Sequence, residues 1–332
     1  MQSIHRIGAT FAAAVALAFA GASAAQSLEK ATFNMSWLPQ GSSIGVIVAQ
    51  AQGYYKDAGL DVNIVRGYGG NRTANELDQG QFDFAYVDPI SLALTRSNGG
   101  HVRLIGAVNT MWPARICYVE KNGKRLKLDD MKGMTMGGGS ASPVQNIVPA
   151  WLEMNGKPRD FIRLLRMDPA VVDASLVEGK IDLAECWKAS NLATIMKQAD
   201  AAGVKIGWIE YSDYGMNAYG SGIATTDERI AKNPDLVRRF VNATYRGYQF
   251  AIERPDAAAD IMVKMFPTVD RNVALQQIRE IDQLIVDAGA PSKTLGYLRQ
   301  DRMQSTAAFV DKAFALNGKV AATDLYSDSF MK

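Results

Sequence analysis

Short runs of β-branched and aromatic residues recur along the chain, separated by longer stretches whose apolar residues return every three or four positions. The β-rich runs predict strands at 31–36, 61–65, 83–87, 102–108, 117–120, 135–137, 162–167, 182–187 and 205–209, with helical patterns between them. Such alternation implies an α/β architecture with a mainly parallel sheet. After Thr225 the pattern changes. Asn233 and Pro234 give an N-cap with proline in the first turn, and Leu236, Phe240, Ala243 and Gly247 follow at helical spacing. Helical patterns continue over 256–265, 272–288 and 302–316, so the C-terminal third is expected to be helical.

An internal echo divides the chain in two. Leu77-x-x-Gly80-x-x-Asp83-Phe84-Ala85 is matched ninety-nine positions later by Leu176-x-x-Gly179-x-x-Asp182-Leu183-Ala184. Each copy reads as a helix end, a glycine stop and a following buried strand. The same offset sets loop 37–43 opposite loop 136–142, Gly69-Gly70 opposite Asp168-Pro169, and Asp88 opposite Trp187. Two lobes of similar α/β design are expected.

The first residues read as an address. His5 and Arg6 precede an uncharged stretch over 7–20, and Ala22-Ser23-Ala24 offers small residues for cleavage, as in a secretory signal peptide spanning 1–25. The apolar stretch is shorter than the ~20 residues of a bilayer span. A mature chain starting near Ala25 or Gln26 is expected in an extracytoplasmic space, most simply a bacterial periplasm. Thirty-six Lys and Arg against thirty-four Asp and Glu leave a net charge of +2, too little to hold nucleic acid or an anionic membrane by bulk field. Of the two histidines, His5 falls in the leader, which leaves His101 alone for any chemistry and excludes histidine metal clusters. Cys117 and Cys186 would meet an oxidising compartment, where they could pair or stay buried as thiols.

Candidate chemistry gathers where predicted strands meet loops, the ends at which open α/β sheets bind ligands. Loop 37–43 offers Trp37, Gln40 and Ser42, and the turn after the second strand offers Gly70 and Asn71. Residues 137–143, including Gly139, Ser140 and Ser142, follow a strand and open a helix, presenting N–H groups and hydroxyls at a positive helix end. The same residues would serve equally as a glycine turn with a serine cap. They lack the Lys-Ser or Lys-Thr of a phosphate-binding P-loop and match a dinucleotide fingerprint only in degenerate form. Trp37, Trp112 and Trp187 stand at three strand ends, suited to stacking on a flat ring, although each would also serve in a core or hinge. Asp88 and Glu185 join them as hydrogen-bond acceptors, and Asp88 before Pro89 also has the form of a helix cap.

These residues carry a family resemblance. Gly53-Tyr54-Tyr55-Lys56-Asp57-Ala58-Gly59-Leu60-Asp61-Val62, Trp37-x-Pro39, Leu77-x-x-Gly80-x-x-Asp83-Phe84 and Asp129-Asp130-Met131-Lys132-Gly133 resemble bacterial extracytoplasmic (periplasmic) solute-binding proteins of ABC importers. The group includes nitrate, alkanesulfonate, taurine and thiamine-pyrimidine-precursor binders. The chain departs from it in having Gly41-Ser42-Ser43 where a histidine often stands. The resemblance implies a two-lobed periplasmic-binding-protein (venus flytrap) fold with two crossover segments. Crossings before Cys117 and through 214–222 would put 26–113 and 223–332 in lobe one and 114–222 in lobe two.

The expected function is capture of a small organic ligand, a planar ring with polar groups such as a pyrimidine precursor or aromatic acid. A sulfonate or other small oxyanion on loop 137–142 is the second reading. A monomer without cofactor, metal or catalytic residues is expected, with a membrane permease as partner. A eukaryotic pyrimidine synthase of this architecture consumes its own histidine with pyridoxal phosphate, and its histidine and cysteine cluster is missing from the candidate loops. A transcription regulator would need a DNA-binding helix pair where the leader stands.

Overall fold

The computed structural model describes residues 27–287, 289–290 and 294–331, so the leader over 1–25 lies outside the described residues. Nine strands follow in chain order: β1 (Glu29–Asn34), β2 (Leu60–Val65), β3 (Phe84–Val87), β4 (Val102–Ala107), β5 (Ala114–Val119), β6 (Thr135–Gly139), β7 (Arg163–Met167), β8 (Leu183–Trp187) and β9 (Ile206–Glu210). The sequence pattern anticipated these nine. It did not anticipate β10 (Gly222–Thr226), a five-residue run hidden behind the turn-forming Gly220 and Ser221.

Two five-stranded sheets result, ordered β2-β1-β3-β10-β4 and β7-β6-β8-β5-β9. In the first, β1 is parallel to β2 and β3, while β10 runs antiparallel to β3 and β4. In the second, β6 is parallel to β7 and β8, while β5 runs antiparallel to β8 and β9. Each sheet is therefore parallel apart from one strand, and that strand arrives from the other sheet. The chain crosses between β4 and β5 and returns between β9 and β10. Both sheets share one plan, in keeping with the ninety-nine-residue echo, and β3 and β8 take equivalent places.

Helices cover the sheets: α1 (Ile44–Ala51), α2 (Tyr54–Asp57), α3 (Gly70–Asp78) and α4 (Pro89–Ser97) around the first, then α5 (Val144–Met154), α6 (Pro169–Val177) and α7 (Asn191–Ala202) around the second. After β10 the chain is helical, as expected, with α8 (Asp227–Lys232), α9 (Pro234–Glu253), α10 (Pro255–Met265), α11 (Arg271–Ile285) and α12 (Gln300–Phe314). The twenty-residue α9 buries Leu236, Val237, Phe240, Val241, Thr244, Tyr245, Tyr248 and Ala251, the stripe its 3.6-residue period dictates. Phe240 stacks on Phe84 of β3 with ring centroids 3.8 Å apart. Glycine lets α9 press on α1, since a Cβ at Gly247 would lie 1.9 Å from the Gly45 carbonyl oxygen.

In the second sheet Cys117 of β5 and Cys186 of β8 form a disulfide with Cα atoms 5.9 Å apart. Late in the chain, α12 packs on both α4 and α5, so one apolar core runs from the first sheet's helices into the second's. It also grips both crossings. Arg302 donates to the Thr110 carbonyl at 2.8 Å, and Thr306 Oγ1 accepts the Tyr219 N–H at 2.9 Å. Among the described residues no helix is long and apolar enough to cross a membrane.

Candidate functional site

The ends of β1, β3, β6 and β8 face one another across a cavity of about 340 Å³, within the range typical of small-molecule sites. The first sheet builds one wall. Asn34 closes β1 by accepting the Ser36 N–H at 2.8 Å, and the Gly67 and Gly69 N–H groups bond the Trp37 and Ser36 carbonyls, which fixes the loop carrying Trp37. Gln40 and Ser42 follow, hydrogen-bonded to each other at 2.9 Å. Asp88 caps α4, accepting the Ser91 N–H at 2.8 Å and the Ser91 hydroxyl at 2.7 Å. Gly70 leaves room above it, because a Cβ there would lie 2.6 Å from Asp88 Oδ2. Asp88 thus caps α4 and also lines the cavity.

The second sheet builds the other wall. Glu185, 3% exposed, accepts hydrogen bonds from the Gly139 N–H, the Ser142 hydroxyl and, at 3.2 Å, Trp187 Nε1. Asn191 donates at 2.7 Å to Asp173, which sits on α6 beside the cavity. Burial raises the carboxyls of Asp88 and Glu185 above the usual range, against the hydrogen bonds that hold their charged forms. Asp173 is pushed up to about 7 by burial, with the charge of Glu185 adding to it. Lys188 is drawn down by burial and then by Arg115. Three carboxyl groups against one ammonium make this lining acidic.

The walls already touch. Ser42 N–H donates to the Ala189 carbonyl at 2.9 Å, Gln277 Nε2 to the Ser190 carbonyl at 2.6 Å, and Asn71 Nδ2 to the Ser142 carbonyl at 3.3 Å. Ser190 also donates to Gln40, and the Ala189 N–H to Glu280. Ala189 reaches both Ser42 and Glu280 from a left-handed turn with φ of 56°. At the rim the backbones meet so closely that a Cβ at Gly69, φ 127°, would lie 2.4 Å from the Ala141 carbonyl oxygen. The structure is that of a closed cleft.

Of the residues singled out from sequence, Trp37, Gln40, Ser42, Gly70, Asp88, Ser142, Glu185 and Trp187 line this cavity. Four others do not. Gly139 supports the wall, its missing side chain leaving space for Trp37, since a Cβ there would lie 2.5 Å from the Trp37 ring. Asn71 ties the walls at the rim instead of facing inward. Trp112, 8% exposed, backs Trp187 with ring centroids 5.2 Å apart, which is the hinge-packing role open to it from sequence. Ser140 is exposed, because the loop turns Gly139 and Ser142 toward Glu185 and leaves the residue after Gly139 facing solvent.

Sequence reasoning missed Tyr86, Asn109, Ser221 and Gln277 on the first wall. Tyr86 lies inside a strand that reads as wholly apolar, and the others come from the crossings and from α11. Asn191, Thr194 and Gln198 were findable, as a polar stripe at helical spacing on α7. Tyr86 is pushed up to about 12 by burial, and its hydroxyl accepts from Asn109 at 2.8 Å. Asn109 Oδ1 and Gln198 Oε1 are buried acceptors without partners among the described residues.

Residues 40–258, about two thirds of the chain, match the model of the NMT1/THI5-like family. The chain belongs to the NMT1/THI5-like family. Among its relatives, the riboflavin-binding protein RibY of Chloroflexus aurantiacus is 24% identical over 97% of this chain and 92% of that one. The 4-amino-5-hydroxymethyl-2-methylpyrimidine phosphate synthase THI13 of Saccharomyces cerevisiae is 23% identical over 76% of this chain and 75% of its own. In fold, this family member is similar to the alkanesulfonate-binding protein SsuA from Xanthomonas axonopodis pv. citri, with TM-score 0.68 and 13% identity over 91% of this chain and 98% of that one. A Candida albicans protein described as having the generic periplasmic binding protein fold aligns with TM-score 0.62 and 14% identity over 92% and 97% of the two chains. The architecture is the periplasmic-binding-protein fold.

Proposed function

We propose that this family member is the periplasmic substrate-binding component of an ABC importer, and that it captures a planar, polar ring bearing no negative charge. One observation carries the reading: the closed cleft between the sheets has tryptophans on both walls and an excess of buried acceptors. Trp37 and Trp187 offer faces for a ring. Asp88 and Asp173, with the unpartnered oxygens of Asn109 and Gln198, ask for N–H or O–H donors on the ligand. An aromatic acid would bring a carboxylate to an acidic lining, which favours a neutral amino-heterocycle over it. For small oxyanions, the Gly139 N–H and the Ser142 hydroxyl of loop 137–142 are engaged by Glu185.

Capture is by closure of lobe one, 26–113 with 223–332, on lobe two, 114–222. The ligand stabilises the closed form through contacts absent from the open one, and the closed surface docks on a membrane permease as a monomer. The chain is read as a binder without catalysis. His101, outside the leader the one histidine, lies exposed just before β4, at the opposite end of that strand from the cavity residue Asn109, and both cysteines are spent in the disulfide. Native mass spectrometry of protein purified from the periplasm tests the proposal, with riboflavin and 4-amino-5-hydroxymethyl-2-methylpyrimidine titrated by calorimetry. A bound uncharged ring, or saturable binding of one of these compounds, is the expected result. An anionic co-purifying ligand would overturn it.

A further inference from the structure

We infer that Glu185 is a built-in occupant of an oxyanion cradle, and that its carboxylate is the residue that turns the cleft away from sulfonates. The inference rests on the cleft being the ligand site and names the group that sets its charge selectivity.

The geometry begins with sheet register. Strand β8 lies parallel to β6 with Met136 level with Leu183 and Gly137 with Ala184, so Glu185 falls beside Gly138. Glycines make the room. A Cβ at Gly138 would lie 3.3 Å from Glu185 Oε1, and one at Gly139 would lie 3.4 Å from it. Into that space the carboxylate brings both oxygens. Oε1 takes the Gly139 N–H, and Oε2 takes the Ser142 hydroxyl and Trp187 Nε1. Backbone N–H, hydroxyl and indole N–H converging beside the first turn of α5 form a donor set suited to a bound anion. A further donor waits beside them. The Gln145 amide nitrogen is buried without a partner among the described residues, 2.9 Å from where a Gly138 Cβ would stand.

A sulfonate entering the parent cleft would meet the Gly139, Ser142 and Trp187 donors already engaged and a carboxylate in the position it needs. Shortening Glu185 would release the Gly139, Ser142 and Trp187 donors together, with Gln145 beside them, and would remove the opposing charge. The cradle is therefore complete in this chain and filled by its own side chain.

Methanesulfonate and sulfate are the probes, titrated into the parent, Glu185→Ala and Glu185→Gln and followed by calorimetry and thermal shift. The parent should show no saturable binding. Glu185→Ala should bind methanesulfonate at least tenfold more tightly than the parent, the scale of one charge-assisted hydrogen bond. Glu185→Gln should stay like the parent, because its amide still fills the space. Circular dichroism and melts without ligand establish that the variants are folded, and Glu185→Ser carries the same expectation should the alanine variant not fold. Saturable sulfonate binding by the parent would overturn the inference, as would a folded alanine variant no tighter than the parent. Failure of the ring-binding proposal looks different: the parent would bind no uncharged ring while Glu185→Ala still gained the sulfonate.

Discussion

Asp88 and Trp187 hold equivalent strand-end positions in the two sheets, and both line the cavity. Trp187→Ala should weaken ligand binding by roughly 0.5–1.5 kcal/mol beyond the lost area, for the stacking it supplies. Asp88→Asn should cost about 1.5–3 kcal/mol if the carboxylate holds a ligand donor. Asparagine caps helices about as well as aspartate, so α4 should survive the change. Calorimetric titration checks both, with melts of the unliganded variants as control, and a loss that merely tracks melting temperature would make the two positions structural. Asp173 adds a pH dependence. Its folded carboxyl is pushed up to about 7, above its unfolded value, so the folded state holds the proton more tightly. The stability this contributes is complete below about pH 4 and is lost as pH rises through about 7. Melting temperatures of the unliganded parent should thus fall between pH 5.5 and 8, and Asp173→Asn should flatten that slope. Asp88, Glu185, Trp37 and Trp187 were legible because a strand end is legible, whereas Asp173, inside α6, was not. Tyr86 and Gln277 were not, since one sits inside a buried strand and the other on a helix whose docking no local pattern reveals.

Strands and helices followed the alternation of apolar and polar positions, and the departures have physical causes. The strand β10 escaped because five residues behind Gly220 and Ser221 carry too little periodicity to stand out from a turn. Its pairing with β3 and β4 depends on residues more than a hundred positions away. The same holds for β5 and β8, where sequence left open whether the two cysteines join. Adjacent antiparallel strands bring Cys117 and Cys186 together across a separation of 69 residues. Closing so long a loop restricts the unfolded chain, which on the chain-entropy account stabilises by roughly 2–4 kcal/mol. The double variant Cys117→Ala, Cys186→Ala should therefore melt well below the oxidised parent. Reductant should lower the parent toward the variant and leave the variant unmoved. Equal melting temperatures of parent and variant would mean that the core around β5 and β8 holds without the bridge.

Closure is a property of the whole molecule, and its contacts join segments remote in sequence: Gln40 and Gln277 with Ser190, and Glu280 with Ala189. No local pattern encodes such pairs, so two walls facing each other were legible while the residues that join them were not. Glu280 isolates the effect of closure from that of ligand contact. It reaches from α11 to the Ala189 N–H yet does not line the cavity. Ala189 holds a left-handed turn, a conformation of modest cost for a non-glycine residue, at the point where the two walls meet. Removing the Glu280 acceptor leaves that N–H unpaired only in the closed form, because in an open cleft water can reach it. Glu280→Ala should then weaken affinity for the co-purifying ligand by roughly 0.5–1.5 kcal/mol, about the net worth of one hydrogen bond. The loss should come mainly as faster dissociation, where most affinity changes between closely related complexes fall. Glu280→Gln keeps an acceptor oxygen and should recover most of it. Stopped-flow dissociation rates, read beside melts of the unliganded proteins, make the comparison. Affinity unchanged in Glu280→Ala would mean that the cross-cleft bonds merely accompany closure, and that ligand contacts alone hold the lobes together.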